Sequence, residues 1–302
     1  MAKTVAFYYT QSGQGLDILK SVVSPLQASG NEVVMKEISP QTKFPFPWTA
    51  ESFFQAFPES RLGLGCGIET PDLSGVEDAS LVIIVYPVWF LSPAIPLAGF
   101  FQNEDVQRFL KDKSVITVSG VRNMQVMAHK TVKKYLSDCG AHLVGNICLQ
   151  DRHHNLVSVF TIVRWLLGGK KEKSGILPAA GVSPEDIAHA SVFGEIISER
   201  ISSGADFTSI QDEFLANGAV IYKPHIAFVE RTGHRMFGIW AKAILKKGPY
   251  NSPKRSLLLK IFMYYLFAVI YLISPIGLGI YFLCYPFRLR TIQREKDEHC
   301  RL

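Results

Sequence analysis

Cysteine is scarce and scattered. The five cysteines, Cys66, Cys139, Cys148, Cys284 and Cys300, are odd in number and form no CxxC pair. That excludes a disulfide framework and a zinc ribbon, and leaves reduced thiols in a cytosolic compartment as the expectation. No metal site is expected. The loop after the first apolar run has no GxGxxG and no GxxxxGK[ST], which removes the two commonest nucleotide loops. No secretory leader is expected, since Met1-Ala2-Lys3 runs straight into an apolar stretch. Charge is absent altogether from Ile261 to Phe287.

What is present is apolar and basic. Of 302 residues, 48% are hydrophobic, and the formal charge is +6. That is enough apolar content for a core and for something beyond a core. Lys170, Lys171, Lys173, Lys246, Lys247, Lys254 and Arg255 lie beside apolar runs. This placement favours an anionic membrane surface over nucleic acid.

The chain is organised around Thr10-Gln11-Ser12-Gly13-Gln14-Gly15. The apolar run Val5–Tyr9 precedes it. An amphipathic run follows, with Leu16, Ile18, Leu19, Val22, Val23 and Leu26. The order reads strand, tight loop, helix. Amides at a helix start are unpaired, and the helix dipole makes that end positive. A phosphate fits there, with Thr10 and Ser12 as further donors. A loop with hydroxyls and no lysine suits one phosphate monoester. The plain alternative is an ordinary strand–helix turn.

Further strands are expected at 31–38, 81–86, 113–118 and 143–149, with helices between them. Alternation of this kind predicts an α/β, doubly wound, five-stranded parallel sheet with right-handed crossovers. Ligands of such sheets collect outside the carboxyl ends of the strands. Four unusual loops fall at that end: 10–15, 87–93, 119–124 and 151–155. Phe44-Pro45-Phe46-Pro47-Trp48, with Phe53, Phe54 and Phe57, reads either as a loop folded over the sheet or as an aromatic lid for a greasy substrate. Leu156–Leu167 fits a domain helix or one lying on a membrane surface. Ser183-Pro184-Glu185-Asp186 marks a helix start.

Residues 256–287 are the second decisive stretch. The uncharged part is roughly 40 Å long as a helix, enough to cross about 30 Å of hydrocarbon. Ser274-Pro275-Ile276-Gly277 interrupts it. A kinked crossing and a re-entrant hairpin are both consistent with the pattern. Basic residues flank both ends, so the sheet domain is expected on the cytosolic side of a membrane. The expected division is a sheet domain at 1–203, a mixed extension at 204–255, the membrane segment at 256–287 and a basic, polar tail at 288–302.

The hydroxyl-rich first loop and the element order resemble the flavodoxin-like FMN-binding proteins. Thr10, Ser12 and Gly13 match their phosphate loop, and Gly15 stands where its last hydroxyl would be. Pro87-Val88-Trp89-Phe90 looks like the segment that flanks the flavin ring in quinone-reductase relatives. A closer resemblance runs along most of the chain. Phe44-Pro45-Phe46-Pro47-Trp48-Thr49, Phe53-Phe54-Gln55-Ala56-Phe57-Pro58-Glu59, Val88-Trp89-Phe90-Leu91-Ser92-Pro93, Arg122-Asn123-Met124, Leu143-Val144-Gly145-Asn146-Ile147 and Phe237-Gly238-Ile239-Trp240 look like the bacterial flavoproteins of dialkylresorcinol biosynthesis, often labelled condensing enzymes.

That resemblance implies FMN as cofactor and a ketosynthase and an acyl carrier protein as partners, in a pathway related to that of the aryl polyenes. Condensation itself needs an activated cysteine with histidine or asparagine partners, and nothing here reads so. A flavin loop fits the aromatising step instead, from a lipid-like cyclic dione to the resorcinol. The expected cofactor contacts are Thr10, Gln11, Ser12, Gly13, Gln14 and Gly15 for phosphate, and Pro87, Val88, Trp89, Phe90, Gly120, Arg122 and Asn123 around the ring. Arg122 is expected to stabilise negative charge, and His153 or His154 to act as general base. Alternatives are an NAD(P)H-dependent quinone or enone reductase and a non-catalytic electron carrier or scaffold.

Overall fold

Short apolar runs covered on both faces fold as parallel strands. The structure, a computed structural model, describes residues 3–302. Its sheet is built from β1 (Lys3–Tyr8), β2 (Glu32–Glu37), β3 (Leu81–Val85), β6 (Ser114–Val121) and β7 (His142–Gln150), with a separate small hairpin of β4 (Val88–Trp89) and β5 (Ser92–Pro93). The spatial order is β2-β1-β3-β6-β7, and every pair in it is parallel. This is the flavodoxin-like doubly wound order, with its switch point between β1 and β3.

Alternation along the strands assigns the two faces. Ala6, Ile83, Val85, Ile116 and Ile147 face α1 (Gln14–Ala28), α9 (Ser191–Ser203) and α10 (Ile210–Ala216). Val5, Phe7, Val82, Ile84 and Val115 face α4 (Ile95–Gln102), α5 (Glu104–Leu110) and α6 (Val126–Asp138). The short helix α8 (Pro184–His189) starts as expected, with Ser183 accepting the Asp186 N–H at 3.1 Å.

The boundary expected at residue 203 does not separate two bodies. Ile210 and Phe214 are fully buried on the sheet. Gly145 leaves room for that packing, because a Cβ there would stand 2.7 Å from Phe214 Cε2. The Cys148 N–H donates to Ala219 O at 2.7 Å, and the Asn146 N–H to Gln211 Oε1 at 2.7 Å. These contacts cover the edge of β7, whose outer backbone groups otherwise stay unpaired.

The rest of the chain builds a helical flank. Helices α2 (Ala50–Gln55) and α3 (Phe57–Leu62) follow the aromatic loop, α7 (Asn155–Gly168) follows β7, and α11 (Pro224–Leu245) packs on α3 and α6. The apolar stretch then runs as α12 (Ser256–Ala268), a π-helical turn at Val269–Ile273, and α13 (Ser274–Cys284). A 3-10 turn at Tyr285–Arg288 joins it to α14 (Leu289–Cys300). Pro253–Cys300 is one continuous helical run, long and apolar enough to cross a membrane.

The interruption at 274–277 and the tail from 288 to 300 both lie within that run. No re-entrant hairpin forms, because the wider π turn before Pro275 accommodates the missing N–H without reversing the chain. Residues 288–302, the basic and polar tail, are helical through Cys300 and fastened to the body. Ile292, His299 and Cys300 are buried, Arg231 Nη1 meets Glu295 Oε1 at 2.5 Å, and Gln211 Nε2 donates to Cys300 O at 3.1 Å.

The other end of the run is pinned by a buried ion pair. Arg255 is fully buried, and its Nη2 donates to Glu59 Oε2 at 2.9 Å. Beside it Phe262 stacks on Phe57, with centroids 3.9 Å apart and rings 9° from parallel. Removing one partner of a buried pair strands a charge away from water. Glu59→Ala is therefore expected to cost about 3–5 kcal/mol in urea unfolding in detergent, with most of the loss recovered when Arg255→Met is added. A loss below about 1 kcal/mol for the single variant would mean that the pair does not hold the helix.

Candidate functional site

The four loops singled out above leave the carboxyl ends of β1, β3, β6 and β7 side by side. Three of them meet in one cavity of about 160 Å³. Thr10, Gln11, Ser12, Gln14 and Gly15 form one end. Pro87, Val88, Trp89 and Phe90 form a wall, and Gly120 and Arg122 lie opposite. Wider grooves open at the other end of the strands, one of about 690 Å³ between Ser114, His142 and Arg301. The small cavity is the one at the switch point, where doubly wound sheets bind ligands.

The loop end is a donor set. Gly13 occupies the position before α1 with φ +85°, which lets the chain turn without a Cβ penalty. No side chain caps the helix. The first-turn amides of α1 therefore have no acceptor within the helix or from a capping side chain. The Thr10 and Ser12 side chains stand beside them, half-buried.

The two glutamines do other work than expected. Gln11 Nε2 donates to Pro45 O at 2.7 Å, and its Oε1 accepts from Trp48 Nε1 at 3.0 Å. Gln11 thereby ties the aromatic segment to the loop. Gln14 Nε2 donates to Val182 O at 3.1 Å, and its Oε1 accepts the Val182 N–H at 3.2 Å. It clamps residues 180–182 against α1. Neither carboxamide is left over for a phosphate.

The wall is held by an unusual turn. Phe90 and Leu91 both have positive φ, 48° and 62°, as a two-residue type I′ hairpin requires. Bulky residues rarely adopt this conformation. Ser60 Oγ fixes the hairpin by donating to Trp89 O at 3.0 Å and Pro93 O at 3.2 Å. Phe90 is held over the cavity against Phe53, with centroids 4.6 Å apart. Trp89 meets Trp48 at 5.3 Å and Tyr9 at 5.9 Å. Phe46 and Phe53 also line the cavity. Residues 44–58 fold over the sheet, as the first of the two readings has it, and Phe46 and Phe53 from this segment reach the cavity. These rings lean inward, which keeps the cavity below the few hundred Å³ usual for a ligand site.

Arg122 lines the cavity opposite the hairpin wall. Nη1 donates to Asn155 Oδ1 at 2.5 Å and to Asn155 O at 3.2 Å. Burial pushes its pKa down to about 10, with Asp151 and Glu230 opposing, so it stays cationic at neutral pH. Asn123 does not line the cavity. It lies behind, donating from Nδ2 to Asn155 Oδ1 at 2.8 Å.

His153 and His154 are not brought to the cavity. The His153 ring turns back, with Nδ1 2.7 Å from Asp151 Oδ1, and both histidines are exposed. A tight turn on buried Asp151 leads straight into α7, so neither side chain reaches over the strand ends. What sequence reasoning missed is the contribution of α7 and of the loop after it: Ile162, Trp165, Leu166 and Gly181 line the cavity. Tyr9 and Tyr86 do too, and burial raises both phenols, so they remain protonated.

Glu230 on α11 was also missed. It is 1% exposed, within electrostatic reach of Arg122, and its Oε1 accepts the Met127 N–H at 2.7 Å. Its Oε2 has no partner among the described residues.

No family model matches this chain, and no curated protein sequence matches it. Among solved structures it is similar to a flavoprotein in complex with FMN from Lactobacillus acidophilus NCFM. That pair shares 16% identity over 49% of this chain and 93% of the other, with a TM-score of 0.40. It is similar also to a flavodoxin from the domain Archaea, at 9% identity over 66% and 99%, with a TM-score of 0.38. A flavone reductase aligns at 14% identity over 66% and 63%, with a TM-score of 0.37. At such scores the fold assignment rests on the strand order itself.

Burial lifts the Glu230 carboxyl from 4.5 to about 7, against the pull of the α6 amides. The folded chain then holds a proton that the unfolded chain has released. The stability from this group is full below about pH 4.5 and falls as the pH rises to about 7, by roughly 3 kcal/mol. Glu230→Gln is expected to flatten the urea midpoint across that window and to leave it unchanged in slope elsewhere. A variant whose pH profile overlays that of the parent would contradict the assignment.

Proposed function

We propose that this chain is a membrane-attached, FMN-dependent oxidoreductase. Its sheet domain lies on the cytosolic side, and it aromatises a 2,5-dialkylcyclohexane-1,3-dione to the resorcinol. We place it after a ketosynthase and an acyl carrier protein that build the dione. One observation carries the reading. An uncapped helix start with two hydroxyl side chains and no lysine shares a single cleft with a half-buried arginine and a wall of aromatic rings. The first end suits a phosphate monoester, the wall suits a flat ring system, and the arginine suits an edge that gathers negative charge.

Within that reading the α1 amides, Thr10 and Ser12 hold the phosphate, and Trp89 and Phe90 flank the ring. The inward-leaning Phe46 and Phe53 turn aside to admit it and then exclude water. Bound FMN supplies the two-electron acceptor that aromatisation needs. Overall the dione loses two electrons and two protons. No histidine and no carboxylate lines the cavity among the described residues. A 1,3-dione ionises readily, so the role left to the protein is to hold the enolate oxygen, and Arg122 is the cation placed for it. The aromatic wall continues into the cluster that docks the apolar helix, through Phe53 and Phe90, which favours a substrate with alkyl chains.

Anaerobic mixing of the FMN-loaded protein with the dione is expected to bleach the flavin absorbance. Arg122→Gln is expected to slow that bleaching roughly 100-fold. Flavin that stays oxidised with the dione but bleaches with NAD(P)H would replace this reading with a reductase.

A further inference from the structure

The long apolar helix is docked near its two ends to the body that carries the cavity, and residues 263–280 between them are half-buried or exposed. It runs antiparallel to α11. Phe262 meets Phe237 at 5.4 Å and Trp240 at 5.8 Å. Tyr281 meets Phe228 at 5.1 Å, and Arg288 lies 5.7 Å over the same ring. Nineteen residues separate Phe262 from Tyr281, about 28 Å of helix. That is close to the thickness of a bilayer's hydrocarbon core. A crossing in this arrangement would drag α11 through the bilayer, with Glu230, Arg231, His234 and Arg235 on it. It would take the rest of the sheet domain as well.

The undocked side of the helix is one continuous stripe. Leu257, Ile261, Tyr264, Phe267, Leu272, Ile276, Ile280, Leu283 and Phe287 are all exposed. Their spacing of three to five residues keeps them on one side of the helix. The stripe is roughly 45 Å long, far larger than the scattered apolar residues of an ordinary surface. Helix α7, which lines the cavity from its other side, exposes Phe160 and Leu167 and is followed by Lys170, Lys171 and Lys173.

Charge around the stripe has one sign. Residues 231–294 contain eleven Lys and Arg and not one Asp or Glu. Lys242, Lys246, Lys247, Lys254, Lys260, Arg290 and Arg294 are exposed. An apolar stripe bordered by cations matches the boundary between acyl chains and anionic headgroups.

We infer that residues 256–287 do not cross the membrane but lie flat in one leaflet of an anionic bilayer, with the sheet domain pressed against that same leaflet. This deepens the membrane attachment proposed above and rests on it. It does not depend on the flavin. Helix α7 lines the cavity with Ile162, Trp165 and Leu166 and exposes Phe160 and Leu167, so on this reading the cavity opens close to the same leaflet.

The test uses the full chain and vesicles of phosphatidylcholine with or without phosphatidylglycerol. In a Cys284→Ser background, a polarity-sensitive dye is placed at Leu257→Cys, Leu272→Cys or Phe287→Cys. Flotation measures binding, and nitroxide lipids measure depth. The expected result is equal, shallow quenching at all three positions, with only the leaflet facing the added protein engaged. Lys254→Gln, Lys260→Gln and Arg290→Gln together are expected to weaken partition onto the anionic vesicles about 100-fold. A dye at 272 much deeper than the other two, or ends reporting opposite leaflets, overturns the flat arrangement while leaving attachment intact. Dyes already shielded in lipid-free solution, with no vesicle binding, show a second copy covering the stripe and overturn both. Flavin uptake, read separately by absorbance, distinguishes either failure from failure of the redox reading.

Discussion

The first-turn amides of α1 point out of the sheet at its switch point with no side chain to cap them. A helix start left in that state is stable only if water or an anion takes the hydrogen bonds. The rest of the rim is built around this requirement. Gly13 turns the chain at the start of α1, Thr10 and Ser12 add donors, and Gln14 clamps the 180–182 loop, whose Gly181 lines the cavity, against α1. A lysine would have made the site fit a polyphosphate. Its absence leaves room for a single phosphate beside an apolar ring.

A second constraint couples the cavity to the surface of the molecule. Phe53 and Phe90 belong to the cavity wall and also to the cluster where Phe57, Phe237 and Phe262 meet. The strained hairpin that presents Phe90 is fastened by Ser60, on the same short helix that supplies Glu59 to Arg255. The placement of the lid and the docking of the apolar helix thus share one set of supports. A cleft and an exposed apolar surface joined in this way are what the lipid-like reactant of the proposed function requires.

The strand order could be read from the chain because each strand is a short apolar run followed by an informative loop. Thr10, Ser12, Pro87 to Phe90 and Arg122 were legible for the same reason: loop chemistry at strand ends is local in sequence. Other features are set by tertiary contacts that no local pattern carries. Gln11 and Gln14 looked like ligand contacts, but their amides are used by Pro45, Trp48 and Val182. His153 and His154 have the right chemistry and follow the right strand, yet a turn on Asp151 faces them outward. Glu230 lies far along the chain from Arg122, and only the packing of α11 against α6 brings the two together. The uncharged stretch could be read as a helix long and apolar enough to cross a membrane, but hydropathy is blind to which side of a helix is docked.

The central claim is that the rim recognises the phosphate of FMN and not merely a flat ring. Titrating purified protein with FMN and with riboflavin, each followed by quenching of flavin fluorescence, tests it most directly. The account predicts saturable uptake of FMN with riboflavin weaker by roughly 10- to 100-fold, the worth of a charge-assisted phosphate contact. Equal affinity for the two, or no saturable uptake of either, would contradict it.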